Sequence, residues 1–364
     1  MNNLLILGLD IGGVNTKTAL IKFNNSEIKE SFSHIEYFPF WEKIIDEILK
    51  MLRKVVSILE KKSNNKYKLI NVDYIAITIT AELSDAFQTK REGILTILDA
   101  LGDVFEIEKL LFINNEGKFI DYETAKSEYY SIAAANWAST SLFLGHFISQ
   151  CVLIDAGSTT IDIIPILNSV PVAKGKDDIS RMLNHELIYT GGLRATIPSI
   201  THVVPYKGEV IRISFERFAL VSDVHRILNN ISEEEYINDT ADNRSKSIDD
   251  CYARLARIIC MDIETITKDE LDEIAEYIYK KQIDIISDEI QMFLTNLIKR
   301  IQEFENNPLF VITGLSADFL VKKSLKKLGY NNIKYYEQIT NILDRISSSA
   351  FAVAGALYYQ LKEK

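Results

Sequence analysis

The sequence predicts an α/β protein of two lobes, and three observations carry that reading. An apolar run stops at an aspartate, turns through glycines and resumes in "LGLDIGGVNTKTALI" (residues 7–21). The same design returns in "VLIDAGSTTIDIIPI" (residues 152–166), with Asp155 standing for Asp10 and Gly157 for Gly12. Strand-like and helix-like segments follow each repeat, and a length of 364 residues exceeds what one hydrophobic core usually holds.

The first lobe opens with strands at 4–9 and 17–23 and a third within 27–38. No helix separates them, which reads as an antiparallel meander. Ile44, Ile45, Ile48, Met51, Leu52, Val55 and Leu59 recur at helical spacing and predict a helix over 41–61. A strand over 72–80, a helix over 92–101, the short strand "LLFIN" and a helix starting near Tyr122 come next. From Tyr129 to Ile154 there is no Asp, Glu, Lys or Arg, a length that could cross a bilayer. Asn136, Ser139, Thr140, Ser141, Gly145, His146, Ser149 and Gln150 interrupt it, so a buried helix feeding a buried strand is expected, and no membrane partner.

In the second lobe "VPVAKG" supplies a third strand after the repeated hairpin. An irregular insertion over about 177–246 contains a hairpin around "PYKGEV", and a long helical region covers 247–305. The strand "LFVIT", Gly314, a helix over 316–328, the strand "IKYY" and a last helix rich in small residues, "SSSAFAVAGAL", complete the chain. The expected division is a first lobe over 1–140, a second over 141–340, and a C-terminal helix over 341–364 packing back on the first.

Composition narrows the function. Hydrophobic residues at 47% and charged residues at 25% are globular values. A formal charge of −10 argues against a nucleic-acid partner, because phosphate backbones need a basic field. Three cysteines without a CxxC pair suggest neither a disulfide framework nor a zinc ribbon. Together with the lack of a basic leader, this points to a reducing cytoplasm; self-association stays open.

An aspartate at a strand end beside a glycine turn can hold hydrated Mg2+, while the glycines let backbone N–H groups approach phosphate oxygens. Thr16, Ser158, Thr159 and Thr160 add hydroxyls. A single loop of this kind is most often a plain hairpin turn. A plain turn has no reason to repeat its charge, so the duplication favours a clamp for a di- or triphosphate.

These motifs resemble the actin, sugar kinase and Hsp70 ATPase superfamily. "DIGGVNTK" is similar to its first phosphate motif and "DAGSTTID" to its second. "AAANWAS" (133–139) and "SSAFAVAGA" (348–356) are similar to its connecting helices, and "VITGLSADFL" (311–320) sits where that superfamily binds adenosine. The resemblance implies two RNase H-like lobes, each with a phosphate-binding hairpin. In place of a glycine pair, Gly314 is followed by Leu315. That departure favours a phosphorylated ligand without adenine, and no nucleotide is expected.

Within the superfamily, "TITAELSDAFQTKREGI" (78–94), "TGGLRATIP" (190–198), "LVSDVHRIL" (220–228) and "TADNRSKSIDDCYARLARIIC" (240–260) resemble hydantoinase and oxoprolinase-like proteins of methanofuran biosynthesis in methane-cycle organisms. That resemblance implies a transferase joining an aminomethyl-furanmethanol diphosphate to γ-glutamyltyramine, with release of pyrophosphate. It implies Asp10 and Asp155 as Mg2+ ligands, and Gly12, Gly13, Asn15, Thr16, Gly157, Ser158, Thr159 and Gly314 around the diphosphate. Lys17 adds a point charge, Glu82 or Asp162 the base, Arg194 a site for the acceptor's carboxylate, and Arg244 and Arg254 further anion ligands. His202 and His225 are expected to be structural. An ATP-dependent kinase or ring hydrolase, and a non-enzymatic actin-like switch, are the competing readings.

Overall fold

The computed structural model describes residues 3–25, 27–40, 45–342 and 347–363. The chain folds as two compact units. The first comprises Met1–Cys151, Ile164–Arg181 and Tyr336–Lys364, and the second Val152–Ile163 and Met182–Tyr335.

The elements in chain order begin with β1 (Asn3–Gly12), β2 (Asn15–Asn24), β3 (Glu27–Tyr37), α1 (Ile45–Lys62), β4 (Tyr74–Thr80), α2 (Lys90–Val104), β5 (Leu110–Ile113) and β6 (Phe119–Ile120). They continue through α3 (Tyr122–Ser127), α4 (Asn136–Gly145), β7 (Gln150–Ala156), β8 (Ile161–Leu167), β9 (Val170–Pro171), α5 (Asp178–Leu183) and β10 (Leu187–Ile188). Next come α6 (Ile197–Ile200), β11 (Val203–Tyr206), β12 (Glu209–Arg212), α7 (Val221–Ile227), α8 (Ile248–Arg257) and α9 (Lys268–Arg300). The chain closes with β13 (Phe310–Thr313), α10 (Lys322–Lys327), β14 (Ile333–Tyr335), α11 (Tyr336–Thr340) and α12 (Ser348–Glu363). No helix among the described residues is long and apolar enough to cross a membrane.

The first sheet has the order β3-β2-β1-β4-β5-β6. The predicted meander forms it: β1 pairs antiparallel with β2, β2 with β3, and β1 runs parallel to β4. Alternation sorts β1 into two faces. Leu5, Leu7, Leu9 and Ile11 join Leu52 and Val55 of α1, Ile94 and Ile97 of α2, and Ile75, Ile77 and Ile79 of β4 in a buried core. Ile6, Gly8 and Asp10 point to the other face, where α12 lies. A Cβ on Gly8 would stand 2.0 Å from the Ala350 carbonyl oxygen, so helix and strand meet backbone to backbone. Farther along, Phe23 stacks on Tyr358 with ring centroids 4.3 Å apart.

The second sheet has the order β10-β8-β7-β13-β14, with β9 on β8. Parallel pairing sets Thr313 of β13 beside Asp155 of β7.

Four expectations are modified. "VPVAKG" gives only the two-residue β9, since Gly175 turns the chain against Arg181, where a Cβ would lie 2.5 Å from the Arg181 nitrogen. The helical region after residue 247 is two helices, divided where Cys260 adopts φ 59°. The apolar stretch from Tyr129 starts with a 3-10 turn over Tyr129–Ile132, and Ala134, at φ 49°, separates it from α4. The helix over 316–328 starts as a π-helical turn, Ala317–Val321, before α10. The start of the helix predicted over 41–61 lies outside the described residues.

Gly8→Ala should lower stability by about 1–3 kcal/mol, the usual cost of forcing atoms into a packed interior. Urea unfolding followed by circular dichroism measures it, and an unchanged midpoint would refute the backbone contact.

Candidate active site

In the first unit, antiparallel register places Lys17 directly across from Asp10, and parallel register places Thr78 on its other side. Asp10 is 4% exposed. Its Oδ2 accepts a hydrogen bond from the Ser349 hydroxyl and lies 3.6 Å from the Lys17 ammonium, which reaches Ser349 Oγ at 3.4 Å. Its Oδ1 has no hydrogen-bond partner among the described residues, and the same holds for the buried Asn15 Oδ1, Thr16 Oγ1 and Thr78 Oγ1. Buried polar atoms left bare in this way normally await a ligand, an ion or water. Gly12 is required at the turn, because a Cβ there would stand 2.9 Å from the Asn15 carbonyl oxygen. Gly13 meets no such obstacle; its carbonyl accepts from Phe40 N at 3.1 Å.

Among the described residues no group of three or more His, Cys, Asp or Glu side chains could hold a metal. Mg2+ does not need one, since it keeps waters and takes one or two carboxylates together with substrate phosphate oxygens. Asp10, with one oxygen open, fits that donor set.

In the second unit, Asp155 is the penultimate residue of β7, and a tight loop returns the chain into β8, closed by Gly157 N donating to Thr160 O at 2.9 Å. The TGGLR segment is laced onto this loop rather than forming a plain surface turn. Gly191 N donates to Thr159 O, Gly192 N to Gly157 O, and Leu193 N and Arg194 N to Ser158 O, all at 2.9–3.1 Å. In a trans peptide the N–H points opposite to the C=O. With three successive carbonyls turned toward residues 191–194, the amides of Ser158, Thr159 and Thr160 are aimed the other way, the arrangement of an anion-binding nest. A Cβ on Gly191 would lie 2.7 Å from the Gly157 oxygen, and one on Gly314, at φ 93°, would lie 2.8 Å from Asp155 Oδ1. Ser316 Oγ donates to the carbonyls of Ala156 and Gly157. Leu315 is buried. Asp162 is buried in β8 opposite Leu187.

The support continues inward. Gln282 of α9 donates to Thr190 Oγ1 and to the Gly191 carbonyl, each at 3.0 Å, and its Oε1 lies 3.0 Å from His225 Nε2. Burial drops the His225 pKa to about 4, so the imidazole is a neutral structural partner. Arg254, expected as an anion ligand, is instead wholly buried. Its Nε donates to Asp223 at 2.8 Å and its Nη1 to Asp242 at 3.0 Å and to the Ser245 carbonyl at 3.1 Å. Arg257 also donates to Asp242, while Arg244 is 62% exposed at the edge of this cluster.

Glu82 follows β4 and is 2% exposed. Its Oε2 has no hydrogen-bond partner among the described residues, and its Oε1 is 4.0 Å from the Lys90 ammonium. Burial pushes its pKa up to about 7, against the lowering effects of a backbone hydrogen bond and of Lys90. Lys90 and Ser349, which touch the expected residues, were not singled out from the sequence.

The fold is that of the actin, sugar kinase and Hsp70 ATPase superfamily. A nucleotide-free acetone carboxylase structure superposes with a TM-score of 0.54 at 11% identity, over 97% of this chain and 70% of that one. Residues 73–358 match hydantoinase/oxoprolinase, and the chain belongs to that family. It is 36% identical over 359 residues to a protein of Methanocaldococcus jannaschii, (4-{4-[2-(gamma-L-glutamylamino)ethyl]phenoxymethyl}furan-2-yl)methanamine synthase, covering 98% of this chain and 99% of the relative. A Methanococcus vannielii protein of the same name is 34% identical over 191 residues, 51% of this chain and 82% of the relative.

The Glu82 carboxyl generates a pH signature. The folded chain keeps its proton up to about pH 7, whereas the unfolded chain releases it near the model-compound value of 4.5. Its contribution is therefore full below the unfolded value and is lost as pH rises through about 7, a change of about 3 kcal/mol. Denaturant unfolding at pH 5 and pH 8 should show that much less pH dependence in Glu82→Gln than in the parent chain. Identical pH dependence would place Glu82 in water.

Proposed function

We propose that this protein is a transferase of methanofuran biosynthesis that forms the aryl ether of (4-{4-[2-(γ-glutamylamino)ethyl]phenoxymethyl}furan-2-yl)methanamine. The observation that carries the proposal is the 36% identity to the synthase of that name over essentially the whole of both chains. The product joins a phenol oxygen to the CH2 of a furan, so the substrates are γ-glutamyltyramine and an aminomethyl-furanmethanol bearing a leaving group. Diphosphate is that leaving group in this proposal; the Lys17 ammonium beside Asp10 in the first hairpin and the outward-facing amides of the second support that reading.

In the reaction the bond from the furan CH2 to a diphosphate oxygen breaks, and its electron pair leaves with pyrophosphate. The furan stabilises positive charge on the CH2, the phenol oxygen attacks there, and its proton passes to Glu82. A phenol has a pKa of ~10, so an ordinary glutamate would accept its proton at a cost of ~8 kcal/mol. A Glu82 pKa of about 7 reduces this to roughly 4 kcal/mol. Lys17 and the amides of Ser158, Thr159 and Thr160 stabilise the departing charge, and Gly12, Gly13, Asn15, Thr16 and Gly314 shape the turns beside it. Asp10 and Asp155 would each offer a carboxylate to Mg2+, which would supply further neutralisation of the diphosphate. Arg194 binds the carboxylate of the γ-glutamyl group. Asp162 supports the second hairpin, Arg244 stays available as a peripheral anion contact, and Arg254 acts only by holding Asp223 and Asp242.

Thermal-shift titration with Mg2+ and pyrophosphate, a furanmethyl diphosphate or ATP should show stabilisation by the first two and no advantage for ATP. A much larger effect of ATP would favour an ATP-dependent enzyme. Asp10→Asn should abolish ether formation, measured by release of pyrophosphate, and full activity would remove the first hairpin from the site. Arg194→Ala should raise KM for γ-glutamyltyramine at least tenfold while leaving that for tyramine little changed.

A further inference from the structure

Glu82 shares its surroundings with two charged groups from different parts of the first unit. Lys90 opens α2, and Asp178 opens α5. The Lys90 ammonium stands 4.0 Å from Glu82 Oε1 and 3.7 Å from Asp178 Oδ2. Both separations exceed a hydrogen bond. The cation is poised between two acids and committed to neither.

Its position is fixed by α2. The Thr89 side chain caps the helix by accepting from Glu92 N, and the Glu92 carboxylate in turn accepts from Gln88 N at 2.8 Å. Gly93, one turn in, lies against the Glu82 backbone, where a Cβ would stand 2.9 Å from the Glu82 Cα and carbonyl oxygen. The first turn of α2 is thus pressed onto the residue whose charge Lys90 meets. On the other side, the Asp177 carboxylate accepts from the backbone N–H and hydroxyl of Ser180 and also feels the Lys90 charge, while Asp178 brings an oxygen to 3.7 Å from the Lys90 ammonium.

We propose that Lys90 is a positioning residue whose charge is divided between Glu82 and Asp178, and that this division sets the ionisation of Glu82 for proton transfer from the acceptor. The inference rests on Glu82 being the base. The charges acting on Glu82 are Lys90 from α2, which favours the carboxylate, and Asp178 from α5, which opposes it. Asp178 opposes it twice over, by direct repulsion and by drawing Lys90 away. The two members of one ion pair therefore act on Glu82 with opposite signs. An ion pair that only braced the fold would lower stability whichever partner is lost and would leave the acid limb of kcat/KM in place.

The test uses the full chain labelled with 13C at glutamate side-chain carboxyls, with Glu82→Gln assigning the Glu82 resonance, alongside the pH dependence of kcat/KM. Lys90→Met should raise the Glu82 midpoint by about one pH unit, and Asp178→Asn should lower it by about as much. Lys90→Arg should restore the parent midpoint, and the acid limb of kcat/KM should follow each shift. Midpoints that stay put, or move in one direction for both variants while thermal melts remain cooperative, would overturn the proposal. Midpoints that move as expected under a fixed acid limb would locate the failure in the assignment of Glu82 as base. An acid limb lost in Glu82→Gln but indifferent to Lys90 and Asp178 would leave the base standing and remove the role of Lys90.

Discussion

The geometry of the first hairpin depends on one steric constraint, the contact of the Gly8 backbone with the Ala350 carbonyl. A helix can lie this close to a strand only where one surface lacks a side chain and the other carries at most a methyl group, and the glycine at residue 8 and the alanines around residue 350 meet that condition. The consequence is electrostatic. With α12 at that distance, Ser349 reaches Asp10 and, with Lys17, occupies one carboxylate oxygen while the other stays bare. The charge arrangement at the hairpin is therefore a product of packing, and a helix with larger residues would lift the serine out of reach.

Two buried charges show how the same physics yields different chemistry. Asp223 accepts from Arg254 Nε at 2.8 Å, from the Tyr236 hydroxyl at 2.9 Å and from Leu220 N at 3.0 Å. Both its oxygens are used, and the pair has nothing left to offer a substrate. Glu82 is about as deeply buried, but its nearest cation is 4.0 Å away and one oxygen has no partner among the described residues. Burial with satisfied hydrogen bonds makes a brace. Burial without them makes a group whose proton is easily exchanged near neutrality.

The sequence made the hairpins legible because each keeps its aspartate, glycines and hydroxyls within eight residues, so alternation and turn chemistry suffice to read them. The sheet order around β1 followed from the uninterrupted meander, and Glu82 drew attention by following a strand. What local pattern could not reveal were pairings across long separations. Asp10 and Ser349 are 339 residues apart, and Lys90 reaches Asp178 from another part of the chain. For Arg254, helical spacing with Arg257 was compatible with an exposed basic face, and only the positions of Asp223 and Asp242 turn it inward. The run of serines before "AFAVAGA" was a signal for Ser349, read only as part of a helix rich in small residues.

The wide separation of Asp10 and Ser349 also bears on how the protein is made. Strands β1 to β4 leave the ribosome early, but the helix that covers Gly8 is translated more than three hundred residues later. At roughly 5–20 residues per second, that interval is on the order of tens of seconds. During it the hairpin with Asp10 and Lys17 has its sheet neighbours but lacks its cover. Ligand affinity at this hairpin is thus a property of the finished chain, and a nascent chain stalled before residue 348 would carry the motif without the site.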